Sequence, residues 1–145
     1  MTLEELHEQD QVAWLEKMAG LVHDQRYPEL DYLNLETLLV EMAQRDRHEV
    51  KSRLTILLTH LLKVDHPPAQ SSRSWQVTIL YQRQELQELL ESGTLKNYFL
   101  TVIDRAYANA VKRAALGTGL PETVFPATCA YSVAQILGEE MLGEG

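Results

Sequence analysis

Six side chains that could do chemistry fall on or beside the apolar stripes of this chain. Asp10 lies one turn from Leu6 and from Trp14. Glu49, Arg53 and His60 lie on or beside the line through Val50, Leu57 and Leu61. Arg83 sits between Ile79 and Leu86, and Tyr107 continues the line from Ile103 to Ala110. A charge buried in apolar surroundings is costly unless it is paired and hydrogen-bonded. If these residues point inward, they therefore meet. Asp10 or Glu49 with Arg53 or Arg83, and His60 with Tyr107, are the pairings the spacing suggests. As structure, the six would form a polar layer that fixes helix register, or would snorkel at the edge of the helices. As function, they would line a pocket in which Arg53 and Arg83 hold a small anion and His60 titrates. That second reading makes a small-anion or small-molecule binder, or a hydrolytic enzyme.

Other chemistry is poorly provided for. The chain has no Gly-rich phosphate loop, no His-Glu-x-x-His, no Cys-x-x-Cys and no Gly-x-Ser-x-Gly. A di-iron bundle needs two Glu-x-x-His motifs on separate helices, and Glu4 with His7 is a single match. No catalytic residue, metal or cofactor is expected. Cys129 reads as a lone buried thiol, because no His or basic residue lies near it in sequence to lower its pKa. Trp14 and Trp75 read as core anchors.

The elements that must position these groups are helices. The 145 residues are 45% hydrophobic and 23% charged, which suits one soluble domain over 1–145. Apolar residues recur at helical spacing, and β-branched alternation is nearly absent. A first helix is expected from about Leu3 to His23, ended by Tyr27-Pro28. A second starts near Asp31 or Asn34 and continues without Gly or Pro to about Val64. Its residues 35–64 alone would span about 45 Å. The stretch from His66 to Ser72 is a connection, and Ser72 or Ser74 can cap a third helix to about Ser92. Gly93 suits a left-handed helix end and Thr94 the next cap. A fourth helix then runs from Leu95 to about Leu116, ended by Gly117, Gly119 and Pro121. The tail is irregular, with a short helix from Ser132 to Leu137. The expected fold is all-α, a four-helix up-and-down bundle or close variant with a long second helix. Exposed leucines on an overhang of that helix would favour a homodimer.

The net charge of −8 is unevenly spread, with −8 over residues 1–46, +4 over 47–113 and −4 over 114–145. The acidic ends can neutralise the basic middle within one fold, or can receive a protein partner with a basic surface. Direct nucleic-acid binding is disfavoured, because phosphate contact relies on a net basic face. The first residues show no basic segment followed by an apolar core, and no apolar run nears the roughly 20 residues that cross a bilayer. No membrane association and a cytoplasmic location are expected.

One set of spacings is more specific. It comprises Asp10 with Trp14, Leu30-Asp31 followed by Asn34-Leu35, Ser52-Arg53-Leu54, and Leu57-Leu58-Thr59-His60-Leu61-Leu62-Lys63. It continues through Ser74-Trp75, Ile79, Gln82-Arg83 and Tyr107 to Phe125-Pro126, Cys129, Tyr131, Ile136-Leu137 and Met141. In these the chain resembles the bacterial family catalogued as domain of unknown function 29, over nearly its whole length. The resemblance implies an all-helical fold and no assigned activity, substrate or cofactor. It places Arg53, His60, Lys63, Ser74, Trp75 and Arg83 at motif positions. The chain departs from the pattern at Thr37, Leu38 and Val40, where the family carries a Glu-rich turn. It departs again at Ala130, where proline is usual. An activity that needed the acidic turn would be altered here.

Overall fold

The structure, a computed structural model, describes residues 1–67 and 73–139. The described residues are helical with no strand: α1 (Leu3–Gln9), α2 (Gln11–His23), α3 (Tyr32–Asp65), α4 (Arg73–Leu89), α5 (Gly93–Thr118) and α6 (Val133–Leu137). Short 3₁₀ turns occupy Tyr27–Glu29 and Glu122–Val124. The fold is all-α with one long helix and a short C-terminal one. None of these helices is long and apolar enough to cross a membrane. By its internal contacts the chain divides into two compact units, 1–45 and 46–145. Helix α3 supplies residues to both.

In the N-terminal unit the single first helix expected from Leu3 to His23 is two helices. Asp10 separates them. Its backbone leaves the helical region (φ −151°, ψ 87°), and its Oδ1 accepts the Ala13 N–H at 3.1 Å, capping α2. A short carboxylate bonds the free N–H groups of a helix start better than it serves a helix interior. Trp14, Met18 and Leu21 are the buried core, and Leu3, Leu6, Leu30, Leu35 and Leu38 pack partly against them. Asp31 starts α3, as the sequence suggests. Its carbonyl accepts from Leu35 N at 2.9 Å.

The core of the C-terminal unit is larger. Leu54, Leu57, Leu58 and Leu62 of α3, Ile79 and Leu86 of α4, and Phe99, Val102, Ala106 and Ala110 of α5 are buried in it. Phe125, Ile136 and Leu137 bring the tail into the same core. Burial of a large apolar side chain contributes about 1.5–3 kcal/mol, so the irregular segment after α5 is anchored by these three. The cap of α5 is Ser92, whose Oγ accepts from Leu95 N at 3.3 Å, and Gly93 is its first residue. Gly93 therefore opens a helix where the sequence suggested it would close one. Gly119 (φ 76°) and Gly138 (φ 74°) are the left-handed ends of α5 and α6. Ser132 caps α6 in a capping box with Gln135. Ser72, the other candidate cap for α4, lies outside the described residues, as does Met141.

Candidate functional site

The six polar residues singled out by spacing occupy several places. Asp10 belongs to the N-terminal unit, where it is an exposed helix cap. The other five belong to the C-terminal unit. Glu49 and Arg53 pair as the sequence suggests, with Arg53 Nε donating to Glu49 Oε1 at 2.8 Å. Arg53 also reaches across to α4. Its Nη1 donates to Gln82 Oε1 at 3.2 Å, Glu85 lies 3.8 Å from Nη2, and the guanidinium stands 5.6 Å from the centre of the Tyr81 ring. Glu49 beside it holds the Arg53 pKa above its ordinary value. His60 Nδ1 donates to the carbonyl of Ile56 in its own helix at 2.8 Å. The Tyr107 hydroxyl donates to the carbonyl of Pro126 at 2.6 Å. These two side chains thus have separate partners, and the bonds they make are to backbone rather than to each other.

Arg83 has a further role. Its Nε donates to the carbonyl of Ile136 at 3.0 Å and its Nη2 to that of Gln135 at 2.7 Å. Gln87, four residues on, donates to the carbonyl of Leu137 at 2.8 Å. A helix leaves its last carbonyls unpaired and slightly negative. Arg83 and Gln87 supply the donors, and one of them carries the matching charge. Burial lowers the Arg83 pKa. Arg83 also borders a cavity of about 250 Å³ with Leu61, Asp65 and Tyr131, and neither Arg53 nor His60 borders it. Tyr131 donates to Asp65 Oδ2 there at 2.6 Å, and burial followed by Asp65 pushes its pKa up. Among the described residues no buried side-chain nitrogen or oxygen lacks a partner. Nor do any three His, Cys, Asp or Glu side chains gather to hold a metal.

Trp14 and Trp75 differ. Trp14 is fully buried, whereas Trp75 is half-buried with Lys63 Nζ 5.6 Å from its ring centre. Trp14 Nε1 donates to Asp31 Oδ2 at 3.1 Å, and Asn34 Nδ2 donates to the same oxygen at 2.8 Å. These bonds, Asn34 first, hold the Asp31 pKa below its ordinary value. A carboxylate with a depressed pKa stabilises the fold at any pH above its unfolded value of about 4, and that contribution is lost as pH falls through the lower folded value. The N-terminal unit is therefore expected to loosen on acidification below about pH 4, and Asp31→Asn is expected to flatten that dependence. Exchange rates of the α2 amides against pH measure it; equal acid slopes in both proteins would refute the assignment.

The N-terminal unit also carries exposed apolar surface on α2 and α3. Helix α2 is apolar over about half its circumference. Trp14, Met18 and Leu21 are buried, while Val12 (64% exposed), Leu15, Ala19 and Val22 (48% exposed) face solvent. Their steps of three, four and three residues make one stripe. On α3, Leu33, Leu39, Val40 and Met42 are exposed. Glu16 on α2 and Glu36 and Glu41 on α3 are exposed among them. Over residues 1–45 the unit holds ten acids and three Lys or Arg.

An all-helical chain whose singled-out polar groups cap helices, pair with one another or bond backbone carbonyls belongs to a class defined by fold rather than by a reaction motif. More narrowly, the chain belongs to the family described as Domain of unknown function DUF29, whose model matches residues 6–142. No curated protein and no solved structure matches the chain.

Proposed function

We propose that the protein is a non-enzymatic interaction module, one helical domain of two compact units, whose acidic N-terminal unit receives a basic amphipathic helix of a protein partner. The exposed apolar stripe of α2 carries the proposal. Exposed apolar residues scattered singly need no explanation, whereas a continuous stripe at helical spacing is what a partner helix buries. Covering Val12, Leu15 and Val22 would contribute about 1 kcal/mol each at their exposures. The excess of acids selects the partner's charge and speeds encounter. A second copy would bring another unit of ten acids and three Lys or Arg against this one, so like-charge repulsion opposes a homodimer here.

A photo-crosslinking residue placed at Leu15 and activated in the native host tests this. The expected product joins Leu15 to a Lys- or Arg-bearing helical segment of another protein. The double variant Val12→Ser, Val22→Ser should weaken that complex about tenfold, the equivalent of about 1.4 kcal/mol. Crosslinks only to a second copy of this chain would replace the partner with a homodimer. Absence of any crosslink would remove the proposal.

A further inference from the structure

A groove of about 800 Å³ runs between the C-terminal half of α5 and the segment 122–129. That volume is in the range of small-molecule sites. One wall is the face of α5 that presents Asp104, Tyr107 and Val111, at steps of three and four residues. From Asp104 to Val111 the helix rises about 10 Å. The other wall is the chain returning after α5. Its direction is set by two observations. The chain leaves α5 at Thr118, and the Tyr107 hydroxyl, 11 residues back along the helix, bonds the Pro126 carbonyl. Cys129 therefore lies toward the Asp104 end, and Glu122 toward the Val111 end. Buried Phe125 lies against the middle. Among the described residues no Lys, Arg or His lines the groove.

The groove is thus an apolar channel with an exposed carboxylate toward each end. We propose that it binds an aliphatic diamine or polyamine, with one ammonium at Asp104, the other at Glu122, and the methylene chain along Tyr107, Val111 and Phe125. An anion is excluded by the two carboxylates. A single amine would satisfy one end only, and a bare metal ion would leave the apolar middle unused. Burial raises the pKa values of both Tyr107 and Cys129, so phenol and thiol are neutral near pH 7 and the two carboxylates are the charges the ligand meets.

Cys129 is the only cysteine in the chain and lines this groove, so its alkylation reports occupancy. The full chain is treated with iodoacetamide at about pH 8.5, where a thiol begins to react and alkylamines stay protonated, at fixed ionic strength. Cadaverine is the probe, with pentylamine and magnesium ion as controls. The proposal expects saturable slowing of alkylation by cadaverine, with pentylamine, which can make one of the two ion pairs, needing about a threefold higher concentration. Asp104→Asn and Glu122→Gln, both at exposed positions and so not expected to disturb folding, should each raise the cadaverine midpoint about threefold, the size of one exposed ion pair. Circular dichroism checks that both variants are folded. No slowing, equal slowing by pentylamine or magnesium, or midpoints unchanged in both variants would overturn it.

Discussion

Replacing Arg83 by alanine is expected to destabilise the C-terminal unit by about 2–3 kcal/mol and to release α6 before the rest of the unit unfolds. The two bonds lost are charge-assisted and point at the last carbonyls of a helix, where a cation is most favourable. Helix α6 has only five residues, far below the length at which a helix holds itself together in water. It persists because Ile136 and Leu137 are buried and because Arg83 and Gln87 complete its end. Gly138 fits the same clamp. At φ 74° it suits glycine, and a Cβ there would come within 3.1 Å of Arg83 Cδ. Arg83→Lys keeps the charge on a single ammonium and loses the planar two-pronged geometry, so about half of the loss should return. Urea unfolding gives the free energy, and hydrogen exchange over residues 133–137 shows whether the tail goes first. An unchanged midpoint with full protection of those amides would mean that Arg83 is free for a ligand, as the pocket reading of the sequence would have it.

The sequence carries the helices well and the destinations of the polar side chains poorly. Helix ends follow from Asp31, Ser132, Gly119 and Gly138, whose side chains or backbone freedom act locally. Asp10 misleads because the apolar stripe from Leu6 to Trp14 runs past it unbroken, while its carboxylate is better used as a cap. Gly93 misleads because its neighbour Ser92 competes for the same boundary. Arg53 is legible, since its main partner Glu49 is one turn away. Arg83 is not, because its acceptors are backbone carbonyls 52 and 53 residues distant, and any residue type supplies a carbonyl. A position on a stripe also says little about where a long side chain ends. The charge profile turns from acidic to basic after residue 46, one residue from the boundary between the compact units. No proline or glycine marks that boundary, because α3 runs through it.

Trp14→Ala should have the largest local effect in the molecule, melting the N-terminal unit while the C-terminal unit stays folded. At 0% accessibility Trp14 is the largest of three buried side chains in a unit of 45 residues. Truncating a buried Trp costs about 3–5 kcal/mol, and a core this small rarely supplies more than that in total. The bond to Asp31 and the edge contact with His7, at 4.8 Å between ring centres, are lost with it. The core around Leu57, Phe99 and Val102 contains none of these atoms. Trp75 is the other tryptophan of the chain and becomes a clean fluorescence reporter of the C-terminal unit. Its melting midpoint should hardly move, while amides of α1 and α2 exchange at nearly unprotected rates. Trp14→Phe, which keeps most of the volume and loses the N–H, should cost only about 1 kcal/mol beyond repacking. A common melting midpoint for both units in the alanine variant would show that they fold as one. Otherwise the same substitution separates the two proposals made for the chain. Crosslinking at Leu15 needs a folded α2 and should vanish, whereas protection of Cys129 by cadaverine depends on α5 and the returning segment and should survive.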